Sequence, residues 1–269
     1  MRLEGDMVAV VTGGASGIGL ALSRHLGRRG VRVVVADVER PALDVAVDDL
    51  VSSGIEARGV ECDVSSEASV GDLADEAFDW SGQVNILCNN AGVVAFGSAF
   101  ESLDDWRWVI DVDMWGVVHG CHAFVPRMLE SGAPGHVVNT ASTAGLLGFP
   151  RIASYVAAKH AVVGMSQAMF HELRPTAVSM SVLCPGVVNT RINSSDRNRP
   201  GSEPPAAAEP RIGADHDETM TPEQVAEIVA DSIEQDRFWI LPHEHYGQQA
   251  LANARGRIDG SAPVMPNVR

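Results

Sequence analysis

Residues 7–29 constrain the fold more than any other stretch of this chain. Met7-Val-Ala-Val-Val-Thr12 is a short run that is apolar on both faces. Such a run suits a strand buried in the middle of a parallel sheet. Gly13, Gly17 and Gly19 follow, and a helical pattern then covers residues 20–29. Glycines let the chain turn sharply and bring its backbone close to a phosphate. The amino terminus of the next helix adds N–H groups and positive potential. The spacing is Gly-x-x-x-Gly-x-Gly rather than Gly-x-Gly-x-x-Gly, and the strand before and helix after give it its meaning. Gly13, Ser16, Gly17, Ile18 and Gly19 are the candidate phosphate contacts.

The same alternation continues. A second strand at 31–36 ends in Asp37, where a carboxylate can accept from the adenosine ribose hydroxyls and repel a 2′-phosphate. Val38 follows instead of a basic residue, which favours NAD over NADP; Arg40, slightly farther on, opposes that preference. Helices are expected at 41–53, 66–80, 103–129, 154–173 and 221–235, and a short one at 245–255. Strands are expected at 56–62, 84–88, 136–141, 178–183 and 238–241. The fold class is therefore α/β, a doubly wound Rossmann fold in one domain over 1–258, with a tail at 259–269. Candidate crevice residues after the strands are Asp63, Val64, Asn90, Ala91, Gly92, Pro185, Gly186, Val188 and Thr190.

Proton-transfer chemistry enters at 142–159. Ser142 closes an apolar strand, at the carboxyl end where open α/β sheets bind ligands. Tyr155 and Lys159 are four residues apart on a helical pattern, so phenol and ammonium share one face. A free tyrosine, with a pKa of about 10, is a poor base at neutral pH. An adjacent cation lowers that value and makes the phenol useful for acid–base work.

Other features bound the partners. A formal net charge of −15 argues against nucleic acid and anionic membranes. No apolar run reaches the roughly 18 residues of a spanning helix, and the first strand leaves no room for a signal peptide, so a cytoplasmic protein is expected. Cys62, Cys88, Cys121 and Cys184 lie in or beside apolar segments, as free thiols would. His243 and His245 read as surface residues rather than metal ligands, and His119 and His122 as packing or interface residues. The polar, proline-rich stretch around 190–220 is either a substrate lid or a disordered loop. The helices at 103–129 and 154–173 lack a polar outer face, and Ala157, Ala161, Gly164 and Ala168 form a small stripe, which suggests a homo-oligomer.

With Thr12-Gly13-x-x-x-Gly17-x-Gly19, Asp63, Asn89-Asn90-Ala91-Gly92, Ser142, Tyr155-x-x-x-Lys159, Pro185-Gly186 and Thr190 in this order, the chain resembles the short-chain dehydrogenase/reductases over residues 5–245. The resemblance implies a seven-stranded parallel sheet and commonly a tetramer. It also implies that Tyr155 is the acid/base, that Lys159 binds the nicotinamide ribose, and that Ser142 positions the substrate oxygen. One position departs from the pattern. Where the family has an asparagine in the long helix, this chain has Asp113. A carboxylate there can still accept from water, would raise the lysine pKa and oppose phenolate formation, and is expected to leave the proton relay working with a shifted pH optimum.

The resulting expectation is an NAD-dependent oxidoreductase that interconverts a secondary alcohol and a ketone. Val93, Val94, Phe96, Leu146, Leu147, Phe149 and Val187 are expected to flank the crevice and favour an apolar substrate. The alternatives are an NADPH-dependent carbonyl reductase on the same scaffold, and a catalytically silent nucleotide-binding regulator.

Overall fold

The structure is a computed structural model, and it describes residues 1–201 and 219–266. Seven parallel strands form one sheet in the order β3-β2-β1-β4-β5-β6-β7. They are β1 (Val8–Thr12), β2 (Arg32–Asp37), β3 (Ala57–Glu61), β4 (Ile86–Asn89), β5 (Gly135–Thr140), β6 (Val178–Leu183) and β7 (Trp239–Ile240). The order reverses between β1 and β4, so their carboxyl ends splay apart into a crevice.

The strands are buried on both faces because helices cover both. Val8, Val10, Val34, Leu87, Val137 and Met180 point to one side. There they meet Leu73 of α3 (Glu67–Ser81), Phe124 and Met128 of α5 (Gly116–Ser131), and Val162 of α6 (Ala153–Leu173). Ala9, Val11, Val33, Val35, Ile86 and Val138 point to the other. Their partners are Leu22 and Leu26 of α1 (Gly17–Arg28), Leu50 of α2 (Arg40–Ser52), and Val229 of α7 (Pro222–Glu234). Alternate residues of each strand thus feed two separate cores, as a period of two requires. Thr221 caps α7 in a reciprocal arrangement with Gln224. The last helix, α8 (Glu244–Asp259), is longer than its sequence pattern suggested.

The long helix expected at 103–129 is interrupted. α4 (Leu103–Ile110) passes into a π-helical turn, Asp111–Trp115, before α5 begins. The extra residue in that turn rotates the two flanking faces relative to each other. Asp113, inside it, is completely buried and aimed at α6.

Candidate active site

The phosphate end of the crevice is built by the β1–α1 turn. Gly13 and Gly17 adopt left-handed backbone angles, φ +61° and +52°, which side chains resist. Thr12 fixes the turn to the far wall, its hydroxyl oxygen accepting from the N–H groups of Asn90 at 3.0 Å and Ala91 at 3.1 Å. The Asn90 amide donates to the carbonyls of Thr12 at 3.0 Å and Gly13 at 3.3 Å. Ser16 stands at the head of α1 without capping it through its side chain, and the first turn carries no acid. These donors therefore suit an anionic pyrophosphate. Gly13, Ser16, Gly17, Ile18, Asn90, Ala91 and Gly92 all line the crevice. Gly19 does not; a side chain there would collide with the Gly13 carbonyl and Asn90, so it serves close packing of α1.

Asp37 ends β2 and is buried. Its Oδ2 accepts from Ala15 N at 3.0 Å and its Oδ1 from Glu39 N at 3.0 Å. Two backbone donors fix the carboxylate plane, and each oxygen keeps a second lone pair for a ribose hydroxyl. Arg40 turns away to Asp44 at 2.8 Å and does not line the crevice. Basic groups arrive instead from beyond β6. Arg197 contacts Glu39 Oε1 at 2.7 Å, Asn198 donates to the same oxygen at 3.1 Å, and Arg191 lies 3.6 Å from it. Burial pushes the Glu39 carboxyl up, but these hydrogen bonds prevail and hold it below the ordinary range. Glu39, Arg197 and Asn198 line the crevice, and no local sequence pattern marked them.

Asp63 and Val64 form another part of the rim, with Asp63 Oδ1 accepting from Ser65 N at 2.9 Å. Pro185, Gly186, Val188 and Thr190 line the opposite wall. There the reading of His243 as a surface residue fails. It is buried, its Nδ1 accepts from Gly186 N at 3.0 Å, and its Nε2 lies 3.1 Å from the Val187 carbonyl. It shapes the backbone that the cofactor would touch.

The reactive end draws on β5, α6 and the π-helical turn. Ser142 follows β5 and stands beside Tyr155; its hydroxyl accepts from Ala144 N at 3.1 Å and donates to the Pro185 carbonyl at 3.4 Å. Tyr155, on the first turn of α6, is partly exposed to the crevice. Lys159, one turn on, has its ammonium 5.4 Å from the Tyr155 ring centre. The ammonium donates to the Thr140 carbonyl at 3.0 Å and pairs with Asp113 Oδ2 at 3.0 Å. Asp113 Oδ1 accepts from Val93 N at 2.8 Å.

Burial sets the electrostatics here. It pushes the Lys159 ammonium down, but Asp113 more than offsets this and the pKa is raised. Burial pushes the Asp113 carboxyl up, against the pull of Lys159. For Tyr155, burial raises the pKa, Lys159 lowers it, Asp113 raises it again, and the net direction is up. The lowering expected from Lys159 is present but outweighed. The Cys184 thiol nearby is pushed up to about 12 by burial and is inert.

Of the apolar residues expected at the crevice, only Val93 lines it. Trp108, Val112 and Ile192 supply the apolar wall instead, and Phe149 packs on Tyr246. Trp108 comes from α4 and Val112 from the π-helical turn.

Residues 7–201 match the short chain dehydrogenase family. The chain belongs to this family. Short-chain dehydrogenase/reductases are oxidoreductases on CH–OH donors with NAD(P), and this chain carries that activity class. A 1-deoxy-11-beta-hydroxypentalenate dehydrogenase of Streptomyces avermitilis is 40% identical over 87% of this chain and 83% of its own length. A C alpha-dehydrogenase of a Sphingobium species is 33% identical over 96% of this chain and 88% of its own. A short chain dehydrogenase/reductase from Burkholderia phymatum, solved in complex with NAD, superposes with a TM-score of 0.92 at 36% identity, covering 99% of both chains.

Proposed function

We propose that this short-chain dehydrogenase/reductase uses NAD to interconvert a largely apolar secondary alcohol and its ketone. The observation that carries this reading is the position of Ser142, Tyr155 and Lys159 on one crevice whose far end is closed by Asp37. When bound, the cofactor supplies a hydride acceptor at nicotinamide C4. Ser142 holds the substrate oxygen. Tyr155 takes the hydroxyl proton as the carbon–hydrogen bond breaks, and returns it in reduction. Lys159 holds the nicotinamide ribose. Holding both reactants in one crevice removes part of the barrier.

Preference for NAD rests on Asp37, whose fixed carboxylate faces the ribose site, and on Arg40 pointing away. One relative is named for 1-deoxy-11-beta-hydroxypentalenate and the other only as a C alpha-dehydrogenase, so the alcohol is assigned by class. Val93, Trp108, Val112 and Ile192 favour apolar carbon beside the hydroxyl. The protein is further assigned to the cytoplasm as a homotetramer. Titration with the four cofactor forms tests the reading. NAD is expected to bind at least roughly tenfold more tightly than NADP, as like-charge repulsion demands. The same advantage for NADPH would overturn it.

A further inference from the structure

We propose that Asp113 cancels the charge of Lys159, so that Tyr155 becomes a base only beside the positive nicotinamide of the oxidised cofactor. The site would thereby distinguish NAD⁺ from NADH by charge. This rests on the proposed role of Tyr155 and deepens it.

The geometry is specific. Asp113 and Lys159 are 0% and 2% exposed, and their charged atoms stand 3.0 Å apart. The π-helical turn carries Asp113 inward, and Val93 N locks its other oxygen at 2.8 Å. Oδ2 has no other close partner among the described residues. The titratable groups around the pair are Tyr155 on α6 and Cys184 after β6. The Cys184 thiol stays neutral. The remaining neighbours present backbone or hydroxyls, namely the Thr140 carbonyl, Gly92 and Ser142.

Whichever atom of the pair holds the shared proton, carboxyl and amine together sum to zero. An amide at position 113 would leave the lysine's full positive charge to balance a phenolate. With a carboxylate, ionising Tyr155 leaves one uncompensated negative charge in a buried site, which is unfavourable. The direction of the Tyr155 shift, upward with Asp113 opposing Lys159, agrees with this. A compensating cation must come from outside the chain. The oxidised nicotinamide ring carries one positive charge and the reduced ring carries none. Oxidised cofactor therefore promotes the phenolate that accepts the alcohol proton. Reduced cofactor leaves a protonated phenol, ready to donate to a ketone. By linkage, the phenolate favours NAD⁺ over NADH to the same extent that NAD⁺ favours the phenolate, and the Asp113 carboxylate adds its own attraction for the positive ring.

The chain has only two tyrosines, Tyr155 and Tyr246, so phenolate absorbance can be assigned. Near-ultraviolet titrations of the full chain, with Tyr155→Phe as the reference to subtract, are run free, with NAD⁺ and with NADH. The Tyr155 midpoint is expected to be about one pH unit lower with NAD⁺ than with NADH. In Asp113→Asn, the midpoint of the free and NADH-bound protein should fall. The ratio of NADH to NAD⁺ dissociation constants should shift roughly tenfold in favour of NADH. An unchanged ratio in a folded Asp113→Asn protein overturns the proposal, because a merely structural role would alter melting temperature alone. If that variant does not fold, equal midpoints with NAD⁺ and NADH in the parent overturn it. Failure of the catalytic reading looks different: Tyr155→Phe would then oxidise alcohols normally, whatever the binding ratio.

Discussion

His136 is a base held in the interior of β5, 1% exposed, with Nε2 at 2.6 Å from the Ser181 hydroxyl. Ser181 spends its own proton on the Arg237 carbonyl at 2.6 Å, so His136 must donate through Nε2. Burial pushes its pKa down to about 4. In the unfolded chain the value returns to about 6.5. Between those values the unfolded state binds more protons, so stability is full above about pH 6.5 and falls as pH drops toward 4. From pH 7 to pH 5 the loss should be roughly 2 kcal/mol. Denaturant midpoints across that range check this. His136→Leu should flatten the acid limb, and an undiminished slope would contradict the assignment. Single residues were legible in unequal measure. The four-residue spacing of Tyr155 and Lys159 announces a shared helix face, because helix geometry is local. The partner of Glu39 is Arg197, on the far side of the sheet in sequence terms, and no local pattern encodes such a pair.

At the scale of elements, the segment after β6 acts as a strap. Arg191, Ile192, Ser195, Arg197, Asn198 and Pro200 all line the crevice. Ser195 is buried and accepts from Val94 N at 2.9 Å, anchoring the strap over the reactive end. Arg199 pairs with Asp105 and lies 4.7 Å over the Trp108 ring. Arg197 and Asn198 fasten it to Glu39 over the adenosine end. Of the stretch at 190–220, expected to be either a substrate lid or a disordered loop, the residues through 201 run along the crevice, and its part at 202–218 lies outside the described residues. A partly buried ion pair of this kind contributes roughly 1 kcal/mol. Glu39→Gln should therefore speed NAD dissociation about fivefold in stopped-flow measurements, with a fall in melting temperature of no more than about 3 °C. An unchanged off-rate would show that the strap is held elsewhere. The π-helical turn was not legible in the sequence. One extra residue leaves the apolar pattern at 103–129 looking continuous, and only the packing of Asp113 against Lys159 reveals it.

For the whole molecule, the doubly wound parallel architecture was legible through the β–α alternation, since parallel strands need crossover helices; the strand order itself emerges only in the structure. The outer surface was legible only in part. Gly164 and Ala168 on α6 are exposed, and a Cβ added at Gly164 would meet nothing within 4 Å. Trp115, the last residue of the π-helical turn, is 46% exposed and stacks on His119. In the proposed tetramer these faces meet a second copy of the chain. Sedimentation should return about four times the 28.5 kDa chain mass, and Gly164→Arg should lower it; a monomer at micromolar concentration would contradict the assembly. In the proposed mechanism all of this serves one event, the passage of a proton between an alcohol and Tyr155. The most direct measurement is NAD-dependent oxidation by folded Tyr155→Phe, using the best alcohol found for the parent. The account predicts a loss of at least about a hundredfold in turnover with NAD affinity retained. Turnover equal to the parent's would contradict it.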